Sequence, residues 1–400
     1  MINFNEAITI LNNLNIKILG VEKIFILDTD SRILAEDIIA KENSPAYPTS
    51  SMDGYAIKFS DQKLKKIKVI DKLPAGSFKE FNLQNGEAIK IYTGSIIPKG
   101  ADSVIPIELV TFKDNEITIN QEVKESFSIR SIGENFSQDE VLIKKGNKIG
   151  FAEIGVMASL NIAEVLIYKQ PTLSVISTGS EILGLCDKES NPSQIRSSNN
   201  YTVSAIAKKY GANILNMGVI KDDRENIEKY LNLALESSDI VVTTGGVSVG
   251  DFDFVKEIVK SKGELIFDRV NMKPGQHIKI VKVDNKFILA LPGFAYSSTI
   301  TFLLFGLNLI QRMQGGEFKF KTIKAILKEP FIKRSKKTEF STCNIEYIDN
   351  NYYVNFKNKK VGSSAILTNM LGENLGLIVS SESDESKNIG DSVKVILLNQ

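Results

Sequence analysis

The sequence is poor in the residues that most often carry metal and nucleophilic chemistry. Its 400 residues include one histidine, His277, and two cysteines, Cys186 and Cys343. With no CxxC spacing and no histidine cluster there is no Cys/His zinc site, and a Ser-His-Asp triad would have to recruit that single imidazole. Two separated cysteines fit a reducing compartment and read as inert packing rather than as a disulfide. Net charge is equally scarce: 49 Lys and Arg oppose 48 Asp and Glu. There is thus no overall basic field of the kind that drives non-specific nucleic-acid binding. Long apolar runs are missing as well. The most apolar late stretch, STITFLLFGLNL from Ser298 to Leu309, is interrupted by Thr301, Gly306 and Asn308. It is shorter than the roughly 20 residues of a membrane span and reads as a core helix. The amino terminus, MINFNEAITILNNLNI, lacks a basic leader and a small-residue cleavage site, so it reads as a helix and the expected location is cytoplasmic. What remains for chemistry is carboxylates, lysines, hydroxyls and backbone amides, with a hard cation as the compatible metal.

What is present divides the chain. Its length suggests two to four domains, and 42% hydrophobic with 24% charged residues is ordinary globular composition. Residues 1–43 together with 140–170 read as a small helical or mixed lead-in and linker. Between them, residues 44–139 hold Pro45, Pro48, Pro74, Pro98 and Pro106 among the short β-rich runs IKVI, AIKIY, SVIPIELV and EITI, an inserted β domain. From 171 to 316, runs such as TLSVISTG, DIVVTTGG and FILALPG alternate with helical segments such as RENIEKYLNLALES. That alternation predicts crossover units and a mostly parallel, three-layer α/β domain. Residues 317–400 return to short strands and read as a C-terminal β-barrel or small sandwich.

In an open α/β sheet ligands bind beyond the carboxyl ends of the strands, which selects the loops to weigh. Ser177-Thr178-Gly179-Ser180-Glu181 follows a strand; it is either a tight turn with a solvated Glu or an amide-lined mouth with Glu181 set for a cation. Thr243 to Asp253 (TTGGVSVGDFD) has Gly245, Gly246 and Gly250 with hydroxyls including Ser248, a composition suited to cradling phosphate. Helix capping is the bland account of Asp251 or Asp253 there, and of Asp222 and Asp223 before RENIEKYL. Arg269, Lys273, Pro274, Gly275, Gln276 and His277 form a cationic turn, and Lys273 is either a surface lysine or a point charge for phosphate or oxyanion. Turn chemistry alone would explain Asp53-Gly54 in the Pro-led segment that includes Ser51, and the hydroxyl-glycine turn Tyr92-Thr93-Gly94-Ser95 is ambiguous by itself.

Taken together and in order, SSMDGYA, the AGS at 75–77, IYTGSIIPKGADSVIPIE, IRSIGEN, STGSEI, IRSSN, GVIKDD, TTGGVSVGDFD, MKPG and LPG resemble the blocks of the MoeA family of molybdopterin molybdenumtransferases, which includes the E domain of gephyrin. The resemblance implies a four-domain subunit in an elongated homodimer, with the α/β domain of one subunit facing the β domain of the other. The implied reaction is insertion of molybdate into adenylylated molybdopterin with release of AMP, and magnesium is required. Carried over residue by residue, the catalytic positions are Asp53, Thr93, Glu181, Asp253 and Lys273. The substrate-binding positions are Ser51, Gly94, Thr178, Gly179, Asp222, Asp223, Gly245, Gly246, Ser248, Gly250, Arg269 and Pro292. Glu181 and Asp253 are the implied magnesium ligands, and Asp53 and Thr93 the implied contribution of the partner subunit. Besides the pterin and a second copy of the chain, the molybdopterin adenylyltransferase is a candidate partner; no nucleic acid and no membrane are expected.

The chain departs from the family pattern at Asn135, where an acid is usual, and at Gln276 and His277 in place of Lys-Pro. It departs again at Phe294 and Ala295 in place of Asn-Pro, and at Arg269 in place of lysine. An imidazolium at His277 is one replacement for the missing lysine, in which case oxyanion affinity falls as pH rises through its pKa. The departures at Asn135, Gln276 and Phe294 keep a second reading beside metal insertion, a diverged pterin-binding carrier or scaffold. A third is another activity of the shared α/β domain, such as adenylyltransferase-like chemistry, against which the loop reads Gly-Gly-Val-Ser-Val-Gly-Asp.

Overall fold

The computed structural model describes residues 1–246, 254–361 and 364–398. The chain forms two units, one of Glu36–Lys145 with Gly150–Val165, the other of Met1–Ala35, Gly146–Ile149 and Leu166–Gln400.

β-Branched apolar runs decide the main sheet of the second unit. The strand Thr172–Thr178 pairs in parallel with Asn213–Ile220 on one side and Ile240–Thr244 on the other, and Lys286–Leu291 extends the sheet in parallel. Two antiparallel strands, Lys279–Val283 and Glu264–Phe267, complete it. Side chains alternate between two covered faces, which is why strands such as Ile240–Thr244 and Lys286–Leu291 are largely apolar on both sides. Leu173, Val175 and Val242 face a core shared with Val203, Ile300 and Phe305, whereas Ile176, Val241 and Ile288 face Ile227, Leu231 and Val255 on the helices Arg224–Ser237 and Phe254–Ser261. The result is the three-layer, mostly parallel α/β arrangement expected from the strand and helix alternation.

The amino-terminal segment is the helix Phe4–Asn13, capped by Asn3, whose Oδ1 accepts from the Glu6 amide at 2.8 Å. Phe4, Ala7 and Leu11 are buried in the first of the two cores. The apolar late stretch is a core helix, continuous from Ala295 to Met313 through a π turn at Phe302–Gly306. No helix among the described residues is long and apolar enough to cross a membrane.

Five strands near the carboxyl terminus close on themselves. Thr338–Ile348 pairs with both Asn351–Asn355 and Leu375–Ser380; Thr322–Leu327 bridges Asn351–Asn355 to Ser392–Leu397, which returns to Leu375–Ser380. Closure removes the exposed sheet edges, so the barrel forms in place of a sandwich. Cys343 lies in its core, where burial pushes the thiol up to about 12. It packs and does not react, as its isolation in the sequence suggested.

The first unit is built on a six-stranded sheet in the order Ser103–Pro106, Gly54–Ile57, Glu87–Ile91, Ile67–Leu73, Glu116–Ile119, Val110–Lys113. The prolines sit at its turns and strand ends. Gly54 is forced: a Cβ there would lie 2.3 Å from the Ile105 carbonyl oxygen, so only glycine lets the two strands pair at this point.

Candidate active site

In the first unit the structure brings Asp53 and Thr93 together. Gly94 donates its amide to the Ser50 carbonyl at 2.8 Å, and Ser50 donates to the Ser95 carbonyl at 2.9 Å. This short ladder sets the Thr93 turn beside the bend that carries Asp53. Both the amide and the hydroxyl of Thr93 donate to Asp53 Oδ1 at 2.8 Å. Those two bonds, the amide first, and the nearby Lys90 charge hold the Asp53 carboxyl below its ordinary value of 3.8, so it is ionised at neutral pH. Ser51 and Gly94 lie exposed on the same two segments.

In the second unit the turns after three parallel strands meet. Gly245 follows Ile240–Thr244, and its amide donates to the Leu291 carbonyl at 3.3 Å. Its φ is +97°, and a Cβ there would stand 2.5 Å from the Thr178 carbonyl oxygen. Gly246 abuts the Thr178 hydroxyl, and Gly293, just after Pro292, lies against the Gly245 backbone. Thr178-Gly179, Gly245-Gly246 and Pro292-Gly293 therefore converge at the carboxyl edge of the sheet, where open α/β sheets bind ligands. Below them Ser177 hydrogen-bonds with Ser197 at 3.1 Å and Thr244 at 2.8 Å, and Asn200, which accepts from Ser177, donates to the Gly218 carbonyl at 2.8 Å. The network fixes the floor of the turns. Thr178 and Thr243 differ: their hydroxyls are buried and have no hydrogen-bond partner among the described residues, an arrangement that suits a polar ligand.

Glu181 is exposed beyond this edge, with its Oε2 folded back toward Gly179. The pair Asp222-Asp223 separates into two situations. Asp223 caps the helix Arg224–Ser237, accepting from the Asn226 amide at 2.9 Å and its side-chain amide at 2.7 Å. The amide bond is the larger cause of its lowered pKa. Capping, the bland alternative, thus accounts for Asp223, while Asp222 is half-buried and outside that cap. Ser248, Gly250, Asp251 and Asp253 lie outside the described residues. Among the described residues no three His, Cys, Asp or Glu side chains converge as metal ligands.

Lys273 is where the structure adds most. Met272–Lys273 pairs in parallel with Thr338-Glu339 of the barrel, and Lys273 Nζ lies 3.3 Å from Glu339 Oε1. The lysine side chain is 44% exposed and the glutamate 5%. Glu339 also accepts from the Ser335 hydroxyl at 2.8 Å and the Arg334 amide at 3.1 Å. Beside the pair is a cavity of about 230 Å³, lined by Lys273, Arg334, Lys359 and Lys360 as cations and by Glu339 as its acid, with Tyr296 and Thr342 in the wall. Tyr296 is locked there by a 2.7 Å bond to the Thr342 hydroxyl. Gln276, at one of the departures, accepts from Lys337 of the barrel, so a cation reaches the turn that lacks its second lysine. His277 is half-buried, and Arg269 is half-buried beside the Asp268–Lys260 ion pair of 2.8 Å. Asn135 donates to the Ser44 carbonyl at 2.8 Å, and Phe294 is 61% exposed.

The barrel residues around Lys273 were not reached from the sequence. KKTEF carries no turn or glycine signal, and only the parallel pairing of Lys273 with Glu339 reveals its part.

Comparison with known proteins identifies the family. Residues 2–161 match the family described as MoeA N-terminal region (domain I and II), and residues 174–312 the probable molybdopterin binding domain. A molybdopterin molybdenumtransferase of Staphylococcus aureus strain MSSA476 is 37% identical over 321 residues, 78% of this chain and 76% of the relative. One from Haemophilus influenzae is 35% identical over 287 residues, 71% of each. A crystal structure of the molybdopterin biosynthesis moeA protein from Pyrococcus horikoshii OT3 superposes over 100% of both chains with a TM-score of 0.85 at 26% identity.

Proposed function

The chain belongs to the molybdopterin molybdenumtransferase family and acts in molybdenum cofactor biosynthesis, and from that premise we propose that it inserts molybdate into adenylylated molybdopterin, releasing AMP and leaving molybdenum on the dithiolene. The observation that carries the reading is the cation-lined cavity beside Lys273. Its size suits a small oxyanion, and its cations oppose the single buried carboxylate of Glu339. The converging glycine turns offer backbone amides, and Thr178 and Thr243 offer hydroxyls, to the phosphates of the pterin. Lys273 orients the incoming dianion, Glu339 fixes Lys273, and Tyr296 closes the wall.

Magnesium belongs to the proposal. It prefers one or two carboxylates together with phosphate oxygens and water. Glu181, an exposed carboxylate at the sheet's ligand edge, fits that donor set, and Asp253 is the second ligand on the family resemblance. The ion would neutralise phosphate charge as AMP departs. We further assign the chain to a homodimer in which Asp53 and Thr93 of one subunit serve the loops of its partner, with the molybdopterin adenylyltransferase as the source of the adenylylated pterin. The location in this reading is cytoplasmic.

The test is AMP release from purified adenylylated molybdopterin with magnesium, titrated with molybdate and in parallel with tungstate. Oxyanion-dependent release supports the assignment; tight pterin binding without release returns the chain to the carrier reading. For the dimer, equal mixing of Asp53→Ala and Lys273→Met subunits is expected to restore about one quarter of wild-type activity, because half of the dimers then hold one intact site. No recovery on mixing overturns the shared site.

A further inference from the structure

A second cavity lies in the first unit, and its lining was not among the site residues read from the sequence. It measures about 580 Å³, within the range of small-molecule sites, and is mostly apolar with a few polar groups. Its deep wall is formed by Leu73, Ile97, Pro98 and Ile129. Two aromatic rings stand at its rim: Tyr47 is 55% exposed and Phe78 73% exposed, with centroids 6.5 Å apart and planes inclined at 53°. Exposed aromatics at the mouth of an apolar pocket gain little from folding and are well placed to stack on a flat ring.

The polar lining narrows the ligand. It contains two carboxylates, Glu80 and Asp102, two lysines, Lys79 and Lys99, and no Asn or Gln; Lys79 is engaged by Asp71 and lies over the Phe81 ring. Asp102 already accepts from the Phe59 amide, whereas Glu80 makes no ion pair or hydrogen bond among the described residues. An adenine edge presents a donor beside an acceptor and is matched by an Asn or Gln amide. A 2-amino-4-oxopyrimidine edge presents two parallel donors, which a carboxylate accepts in fork geometry as it does those of arginine.

The cavity also shares its backbone with the Asp53–Thr93 pair. Ile97 donates its amide to the Pro48 carbonyl at 2.9 Å, on the same ladder as the Ser50–Ser95 and Gly94–Ser50 bonds. Asp53 is five residues on from Pro48, so the two features lie at most about 17 Å apart along the chain. We propose that this cavity binds the bicyclic ring of the pterin, stacked against Tyr47 and Phe78 with its 2-amino-4-oxo edge on Glu80. The inference rests on the proposed function for the identity of the ligand as a pterin.

The test uses the full chain and free pterin, a fluorescent ring without phosphate or dithiolene, so binding is read without turnover. Phe78→Ala and Tyr47→Ala alter exposed side chains and are each expected to weaken pterin binding about tenfold, with Glu80→Gln weakening it as well. Guanosine, which shares the edge, should compete, and adenosine should not. Absent pterin binding, unchanged binding in both aromatic variants, or equal competition by adenosine overturns the proposal. Oxyanion-dependent AMP release measured alongside reads the proposed function separately: its persistence when pterin binding fails would sink the ring pocket alone.

Discussion

Replacing Lys273 with Met removes one of the cations lining the cavity while keeping most of the length of the side chain. At about 4 Å two unit charges interact by about 1 kcal/mol in water and about 4 kcal/mol at an effective dielectric of 20. Lys273 is nearly half exposed, so the lower part of that range applies, and a dianion doubles it to at least about 2 kcal/mol. That is about a thirtyfold loss in oxyanion affinity. A second effect adds to it. Glu339 stays buried, held by Ser335 and the Arg334 amide, and its charge now opposes the incoming dianion with no lysine beside it. Lys273→Met/Glu339→Gln should therefore bind molybdate better than Lys273→Met alone, by about three- to tenfold, a coupling that a double-mutant cycle isolates. The assay is molybdate concentration dependence of AMP release, with the KM for adenylylated pterin as the internal control. An unchanged molybdate KM in Lys273→Met, or a double variant no better than the single one, refutes the reasoning.

Gly245→Ala would place a Cβ 2.5 Å from the Thr178 carbonyl at a φ of +97°; it should cost about 2–4 kcal/mol of stability and weaken pterin binding, and a wild-type urea midpoint would show that the turns need not approach so closely. Thr93→Val removes the hydroxyl bond that helps hold Asp53 below 3.8. The stabilisation from that depressed pKa is present above the unfolded-state value and lost as pH falls through the folded one. The variant should therefore lose the acid end of its activity profile at higher pH than wild type, and coincident profiles would exclude Asp53 as the group concerned. Burial pushes Lys279 down to about 8 from 10.5. Between those values the unfolded chain holds a proton that the folded chain has released, so stability rises with pH there. Urea midpoints should show the rise in wild type and not in Lys279→Met. Tyr296→Phe should cost about 1 kcal/mol through loss of its bond to Thr342 and raise the molybdate KM more than the pterin KM; equal changes in both would remove Tyr296 from the oxyanion wall.

The α/β sheet was legible because its period is local. Continuous apolar strands such as DIVV and FILAL, separated by amphipathic helices, leave few alternatives, and the glycines after them mark turns that approach one another. The interruptions in STITFLLFGLNL likewise sufficed to separate a core helix from a membrane span. Barrel closure was less visible, because the pairing of Thr322–Leu327 with Asn351–Asn355 joins strands far apart in sequence and no local pattern specifies it. The same limit hid Glu339, whose partner Lys273 is brought to it by a two-residue parallel bridge. Asp222 and Asp223 illustrate a different limit: adjacent acids before a helix are equivalent in the sequence, and only the hydrogen bonds of Asn226 show which one is the cap. The cavity at Tyr47 and Phe78 was not legible as a pocket: part of its lining, Ser77 and Ile96 to Asp102, falls in the quoted blocks, but its aromatics come from segments that a reading of turns treats as connectors.

The most direct test of metal insertion is the ratio of molybdenum retained on the pterin to AMP released in a single turnover with purified adenylylated molybdopterin, magnesium and molybdate. The account predicts a ratio near one, with both quantities falling together in Lys273→Met. AMP release with no molybdenum retained would make the chain a hydrolase of the adenylylated pterin and contradict the account.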